Sequence, residues 1–321
     1  MHGALLVDKP AGPTSHDIVA FARRTLKTPR IGHTGTLDPL ATGLLVLLIG
    51  HATRLSRFLV TDEKEYLADV RLGIATATYD AQDLDATTIE DRGSRMVTAD
   101  QVRAVLAEFL GTFPQLPPPF SAKKVDGVRA YKKARRHEAV ELKPVTVTVR
   151  ELELLSDDPR PATLDPRLST VETRPLTLDP RTLVRLRIVC SSGFYVRSLA
   201  HDLGQLLGCG AHLERLRRTR AGPFRVADAL APDAMEAAGP AIEGRLIGLN
   251  ALLADMPAVT ATDEGIRRAT NGNSLAPAHL GTPLSEARPD RRFRVLDASG
   301  GLLSVAESRG DGLLHPLLVL R

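Results

Sequence analysis

One stretch constrains this chain more than any other: Gly32-His-Thr-Gly-Thr-Leu-Asp-Pro-Leu-Ala-Thr-Gly43. Three glycines and three threonines with one His and one Asp do not suit a helix or a strand, so these residues form a loop. Three interpretations are open. The loop is an ordinary turn begun by Asp-Pro, with His33 a hydrogen-bonded polar group; a phosphate loop, although no Gly-Lys-Ser/Thr follows; or a rigid catalytic loop.

The catalytic interpretation depends on Asp38. It is the only carboxylate between Asp17 and Asp62, and a lone carboxylate suits a nucleophile better than a general acid/base pair, which needs two. A buried carboxylate also needs a counter-charge. Arg197 is the candidate, because it begins a predicted helix whose apolar face would tether it in the core.

The periodicity on either side of this loop predicts an α+β fold. Alternating or apolar runs predict strands at residues 3–8, 44–49, 66–72, 145–149 and 184–190. Helical spacing predicts helices at residues 15–27, after the capping box of Thr98 and Gln101, and at residues 195–207. Strands and helices do not alternate strictly, which indicates a mixed, largely antiparallel sheet and not a doubly wound fold.

The remaining segments suggest two domains, residues 1–245 and 250–321. Short apolar runs after Phe293, Gly301 and Leu317, separated by glycine turns, predict a small β-rich C-terminal domain. Residues 156–181 repeat Asp-Pro steps and predict an extra surface loop, and residues 231–244, rich in Ala, Gly and Pro, look like a second added segment.

Charge and composition limit the partners. The 321 residues carry a net charge of +4, with basic clusters at residues 123–137 and 211–225, which are either solvated helix faces or a phosphate-tracking surface. The two cysteines, Cys190 and Cys209, have no metal-ligand spacing, so we expect buried thiols and no zinc. We expect a cytoplasmic protein, because the sequence shows no signal peptide and no apolar run that could span a membrane.

The glycine-rich loop and several other blocks of the sequence resemble one known family. Residues 32–43 resemble the signature loop of bacterial TruB-type pseudouridine synthases. Further blocks resemble the family in the same order, at residues 6–12, 118–123, 190–197 and 216–218, within a span of about residues 3–230. The resemblance implies a pseudouridine synthase catalytic domain, a PUA-like RNA-binding domain at the C-terminus, and action on uridine 55 in the T loop of tRNA. It implies no metal or organic cofactor.

The resemblance also implies roles for individual residues. Asp38 matches the catalytic aspartate, Arg197 the arginine that pairs with it, and Tyr66 the tyrosine that stacks on the flipped base and serves as a base in the reaction. The substrate-binding matches are His33, which takes the place of the extruded base in the RNA, pocket residues Tyr195 and Leu216, Lys9 in a block that supports the loop, and Arg217, Arg218 and Lys123. Lys123 lies in an expected RNA-gripping insertion of about residues 112–143.

The expected reaction is an isomerisation, so it needs no external group or energy source. Asp38 attacks C1′ of the nucleotide, attacks C6 of the ring, or assists formation of a glycal, and the sequence leaves these three routes open. We expect a monomer with the T stem-loop of tRNA as partner and no obligate protein partner. The rival hypotheses are a non-catalytic RNA-binding protein, such as a tRNA folding chaperone or a guide-RNA scaffold, and a synthase for another RNA.

Overall fold

The computed structural model describes residues 1–59, 63–83, 90–91, 97–121, 124–125, 128–129, 142–156, 177–178, 183–284 and 288–320. The strands are β1 Gly3–Lys9, β2 Ile31–His33, β3 Thr42–Ile49, β4 Lys64–Leu72, β5 Ile74–Ala75, β6 Glu90–Asp91, β7 Val97–Thr98, β8 Gly111–Gln115, β9 Lys124–Val125, β10 Val128–Arg129, β11 Val145–Ser156, β12 Thr177–Leu178, β13 Leu183–Cys190, β14 Ala211–Ala221, β15 Phe224–Arg225, β16 Ala258–Thr260, β17 Arg292–Leu296, β18 Leu302–Ser308 and β19 Leu314–Val319. The α-helices are α1 Ser15–Thr25, α2 Ser56–Leu59, α3 Ala99–Ala107, α4 Val196–Leu207, α5 Pro232–Ala238 and α6 Asp263–Thr270.

The main sheet of the described residues has nine strands, in the order β1-β3-β14-β4-β13-β11-β8, with β2 on β3 and β15 on β14. Every pairing is antiparallel except that of β3 with β14, which is parallel and holds only two residue pairs, Arg217 with Thr42 and Arg218 with Gly43. The predicted α+β class with a largely antiparallel sheet is therefore confirmed.

Local sequence explains where the helices begin and end. Thr14 caps α1 and Thr98 caps α3, each in a capping box with the residue three positions on. Helix α4 ends at Gly208, whose φ of 72° is left-handed backbone that glycine adopts at low cost. The capping box at Thr98 and the helix ending at Leu207 are both confirmed.

The two faces of the main sheet carry different kinds of side chain. One face of β4 and β13 contributes Ala68, Val70, Leu186 and Ile188 to the main core, and helices α1, α3 and α4 pack there. The opposite face of the same strands carries ion pairs such as Arg185 with Asp69 and Arg187 with Glu65. Cys190 and Cys209 are both buried thiols, as expected, and neither forms a disulfide bond.

Strand β3 is a continuous apolar run from Leu44 to Ile49 because both of its faces are covered. Leu45 and Leu47 point into the main core, while Leu44 and Val46 pack in a second cluster with Leu302 and Val305 of β18. The predicted C-terminal strands form a separate four-stranded sheet, β16-β17-β18-β19, which this cluster joins to the main sheet.

Two expectations from the sequence disagree with the structure. The basic segment 211–225 is mostly strand β14, so the interpretation as a solvated helix face is wrong there. Residues 231–244 are not an added segment, because Met235 of α5 and Ile242 of the 3-10 helix Gly239–Arg245 are fully buried in the main core. Most of the loop at 156–181 and half of the insertion at 112–143, with Lys123, lie outside the described residues. No helix in the described part of the chain is long and apolar enough to cross a bilayer.

Candidate active site

The glycine-rich loop connects β2 to β3 and is fastened from behind. Lys9 is fully buried, and its Nζ donates hydrogen bonds to the carbonyl oxygens of Ala41 at 2.7 Å and Pro39 at 3.3 Å. The Ser15 hydroxyl accepts from the Leu37 N–H at 2.8 Å and donates to the Leu37 carbonyl at 3.1 Å. These contacts hold the backbone on both sides of Asp38, so its carboxylate has a fixed position.

Asp38 is paired with Arg197 in a two-point geometry. Arg197 Nε lies 2.9 Å from Asp38 Oδ2, and Arg197 Nη2 donates to Asp38 Oδ1 at 3.2 Å. The Arg197 side chain is 7% exposed and the Asp38 side chain 36% exposed. A bidentate pair of this kind fixes the plane of the carboxylate and leaves it open to the cavity. The structure thus brings together the two residues that the sequence pairs.

The rest of the Arg197 guanidinium is also occupied. It donates to the carbonyl oxygens of Phe120 at 3.0 Å and Thr78 at 3.2 Å, and Nη1 lies 3.6 Å from Asp80 Oδ2. Asp80 is 2% exposed and accepts from the Thr78 hydroxyl at 2.8 Å and the Gln82 N–H at 3.1 Å. Arg197 therefore lies between two carboxylates, one exposed to the cavity and one buried.

A cavity of about 480 Å³ opens over Asp38. Its lining includes Tyr66, Tyr195, Leu216 and Arg218 together with Asp38 and Arg197. Tyr66 and Leu216 lie on the neighbouring strands β4 and β14 and are both buried. The volume falls in the usual range of small-ligand sites, and ring and apolar walls beside one carboxylate suit a planar, uncharged ring.

The other predicted site residues lie around this cavity in different ways. His33 ends β2 beside the cavity, and its Nδ1 accepts from the Gly35 N–H at 3.2 Å. Arg218 is buried and donates to the carbonyl oxygens of Leu44 at 2.7 Å and Gly35 at 3.1 Å.

The two adjacent arginines of β14 do not share a surface. Arg217 points to the other face of the sheet and pairs with Asp8 at 2.7 and 3.0 Å. The expectation that Arg217 and Arg218 together form a phosphate-binding patch thus disagrees with the structure, because successive side chains of a strand point in opposite directions. One of the two is buried beneath the loop and the other is neutralised by an acid.

Burial shifts the pKa of Tyr66 in the cavity wall and of three groups near the cavity. Burial raises the pKa of the Tyr66 hydroxyl, with nearby Arg218 acting against the shift, so this hydroxyl is protonated at neutral pH. Burial also raises the pKa of Asp80, which Arg197 opposes. The pKa of His33 falls to about 4, mainly through burial and then through His16 and Arg218, so His33 is neutral at neutral pH. Burial lowers the pKa of Lys9 to about 8, against the attraction of Asp38.

Two residues of the site are absent from the sequence-based prediction. Asp80 is one; the signal that could have found it is the Thr76-Ala-Thr-Tyr-Asp80 pattern, a turn with several hydroxyl donors near one carboxylate. Gln115 is the other: it is buried, and its amide exchanges two hydrogen bonds with the Tyr195 backbone, at 2.8 and 2.9 Å. Within the described ranges, no cluster of three His, Cys, Asp or Glu side chains could hold a metal ion.

Comparison with known families agrees with this geometry. Residues 23–196 match the N-terminal domain of the TruB family of pseudouridylate synthases, and residues 197–243 match the C-terminal domain of tRNA pseudouridylate synthase B. The chain belongs to the TruB family. The first match alone covers more than half of the chain and includes Asp38, Tyr66 and Tyr195, and Arg197 opens the second. The resemblance found in the sequence is confirmed.

Three relatives of this TruB-family enzyme match between 77% and 100% of its chain. It is 38% identical to the tRNA pseudouridine synthase B of Solibacter usitatus over 100% of both chains. It is 40% identical to that of Ralstonia nicotianae, over 98% of this chain and 93% of the relative, and 46% identical to that of Opitutus terrae, over 77% and 92%.

Solved structures show the same fold at lower identity. An archaeal box H/ACA sRNP Nop10-Cbf5 complex contains a chain that aligns with a TM-score of 0.69 and 21% identity, covering 100% of this chain and 86% of that one. A chain of an H/ACA RNP bound to a substrate RNA containing 2′-deoxyuridine aligns with a TM-score of 0.68 and 22% identity, over 100% and 85%. At this identity the likeness establishes the fold.

Proposed function

We propose that this TruB-family enzyme converts uridine 55 in the T loop of tRNA to pseudouridine, with Asp38 as the catalytic nucleophile. The observation that carries the proposal is the Asp38–Arg197 pair at the floor of a cavity with aromatic and apolar walls. The family match and the names of the full-length relatives support tRNA as the substrate.

The chemistry assigned to the cavity is a rearrangement of one nucleotide. The N1–C1′ bond breaks, the uracil turns, and a C5–C1′ bond forms. The C5 hydrogen leaves as a proton and N1 gains one, so the product is an isomer. A base inside a folded loop must first be flipped out, at a cost of a few kcal/mol, and stacking on an aromatic ring returns roughly 1–3 kcal/mol. Tyr66 supplies this ring in the proposal, with Tyr195 and Leu216 as the other walls.

Arg197 orients the Asp38 carboxylate and supplies its counter-charge, as a positioned nucleophile requires. Burial raises the pKa of the Tyr66 hydroxyl, which supports a role in which this hydroxyl is protonated when the reaction begins. Tyr66 can then act as a base only after it has given up that proton. Asp38 acts by attack on C1′, by attack on C6 or through a glycal.

The proposal includes the two-domain division. Residues 1–245 form the catalytic domain, and residues 250–321 form a PUA-like domain that binds RNA. The separate four-stranded sheet of the C-terminal region supports this division. We further propose that the enzyme acts in the cytoplasm as a monomer, without an obligate protein partner.

The test is release of tritium from C5-labelled uridine in a T stem-loop RNA by the purified protein. Asp38→Asn should abolish release, while RNA affinity stays within about two-fold, because the amide cannot act as a nucleophile and phosphate contacts are unchanged. Asp38→Glu should fail as well, since a shift of about 1 Å costs on the order of 10²-fold. Asp255→Asn, the same change at an exposed aspartate, is the matched control.

The outcomes separate the rival functions. Full turnover by a folded Asp38→Asn variant would end the nucleophile assignment. Tight RNA binding by the wild-type protein without tritium release would favour a binding protein, and release only after addition of a guide RNA would favour an RNP subunit. An RNA with cytidine at position 55 should give no release; release from it would move the target to another uridine.

A further inference from the structure

Tyr79 has an unusual backbone conformation beside the catalytic pair. Its φ is 64°, and among the described residues only Lys27 and Asp290 share positive φ without being glycine. A bulky aromatic residue rarely adopts this left-handed conformation, and strain of this kind persists only where the surroundings enforce it. Tyr79 lies between Thr78 and Asp80, and both of these neighbours contact Arg197.

The Tyr79 ring ties this turn to the helix that carries Arg197. It stacks on the His201 ring with the centroids 3.8 Å apart and the planes 11° from parallel. His201 lies one turn after Arg197 on α4, on the same side of the helix. The stack therefore connects the turn and the arginine through a single rigid element.

Hydrogen bonds fix the remaining sides of the turn. The Tyr79 N–H donates to the Thr76 carbonyl at 3.2 Å, and the Leu213 N–H donates to the Tyr79 carbonyl at 3.0 Å. The Thr76 hydroxyl donates to the Asp80 carbonyl at 2.8 Å. These bonds attach the turn to itself and to β14. The ring stack attaches it to α4, in addition to the contacts that Arg197 makes with Thr78 and Asp80.

We propose that Tyr79 is a positioning residue for catalysis: its stack on His201 holds the turn at residues 76–80 against α4, so that the Thr78 carbonyl and the Asp80 carboxylate keep the Arg197 guanidinium aimed at Asp38. The inference rests on the proposed roles of Asp38 and Arg197. The ring is the functional part of Tyr79 here. Burial raises the pKa of its hydroxyl, Asp202 raises it further, and the group stays protonated.

The test compares variants that separate the ring from the backbone conformation. Tyr79→Asn keeps a residue that tolerates left-handed backbone but removes the ring. It should lower kcat by roughly 10–10²-fold, since misorientation of a reacting group by about 1 Å costs up to 10²-fold, while KM and the Kd for tRNA change less than about two-fold. The single variants Tyr79→Phe and His201→Phe each keep two stacked rings, so the kcat of each should stay within about three-fold of wild type.

Two controls isolate the proposed connection. Lys27→Asn places asparagine at another left-handed position, two residues after the end of α1, and should leave kcat unchanged. In an Asp80→Asn background the kcat loss from Tyr79→Asn should shrink at least about three-fold, because residues acting through one contact are not additive. A purely structural role would give the same loss in both backgrounds and would overturn the inference.

A wild-type kcat in a folded Tyr79→Asn variant would also overturn the inference. If Tyr79→Asn fails to fold, His201→Ala removes the stack from the helix side and must reproduce the kcat loss with KM unchanged; if it does not, the inference fails. Asp38→Asn is measured in parallel. An active Asp38→Asn refutes the proposed function, whereas an inactive Asp38→Asn with a fully active Tyr79→Asn refutes this inference alone.

Discussion

Removing the charge of Arg197 should destabilise the protein, because the buried Asp80 carboxylate is left without its counter-charge. In Arg197→Met the side-chain volume is nearly kept, but Asp80, which is 2% exposed, loses its nearest cation. Breaking a buried pair in this way costs about 3–5 kcal/mol of the free energy of unfolding. For a chain of this size that corresponds to a fall in Tm of roughly 4–7 °C. Asp38 contributes little to this loss, because its side chain is 36% exposed and water can solvate it.

A second substitution should recover the stability without recovering the activity. In Arg197→Met/Asp80→Asn the amide oxygen still accepts from the Thr78 hydroxyl and the Gln82 N–H, and the unpaired charge is gone. We expect the double variant to regain at least about half of the lost free energy, roughly 2 kcal/mol. Tritium release should stay absent in both variants, because Asp38 has lost its orienting partner.

The measurements are urea unfolding and thermal melts of four proteins: wild type, Arg197→Met, Asp80→Asn and the double variant. The pH dependence of their stability gives a second test. Burial raises the folded-state pKa of Asp80, so the stability associated with this group is present at low pH and is lost as pH rises through that pKa. Loss of Arg197 raises the pKa of Asp80 further, because the cation that opposed the shift is gone. The destabilisation caused by Arg197→Met should therefore become smaller as the pH falls from 7 to 5 and Asp80 is protonated. A double variant no more stable than Arg197→Met would refute the reasoning.

Three further predictions follow from the site. Tyr66→Phe keeps the ring and removes the buried hydroxyl, so turnover should fall roughly 10²–10⁴-fold with Tm nearly unchanged; equal turnover would leave stacking alone. The folded-state pKa of His33 is lowered to about 4, so stability is lost as pH falls from about 6.5 through 4, and His33→Gln should reduce this loss in melts at pH 7.5 and 5; an equal loss would place the acid sensitivity elsewhere. Because Asp8 neutralises Arg217, Arg217→Ala should not change the slope of log tRNA affinity against log salt, about −4 for five phosphate contacts; a flatter slope would return Arg217 to the interface.

The sequence predicts the catalytic loop and its partner because both signals are local. A glycine-rich segment around one carboxylate and an arginine opening an amphipathic helix can each be read within about a dozen residues. Asp80 could not be found in this way. Its relation to Arg197 depends on a turn and a helix whose contacting residues, Thr78 and Arg197, are 119 positions apart.

Charge counting failed at β14 for a related reason. A cluster of five arginines indicates a basic surface only if the side chains share one face. The pairing of Arg217 with Thr42 and of Arg218 with Gly43 places one guanidinium on each side of the sheet. Strand register, which depends on the neighbouring strand, thus decides which cations reach solvent.

The same two residue pairs place the active-site loop beside the central strands of the sheet. Strands β3 and β14 are parallel and pair through two residues of each strand, at the start of β3, where the loop that carries Asp38 ends. The closeness of the contact requires glycine: Gly43 has a φ of 98°, and a Cβ there would lie 2.3 Å from the Arg218 carbonyl oxygen. Arg218 in turn bonds the carbonyls of Gly35 and Leu44, one on the loop and one on β3. The buried arginine and the glycine therefore hold the end of the loop close against β14, the strand that carries Leu216 of the cavity wall and pairs with β4, which carries Tyr66.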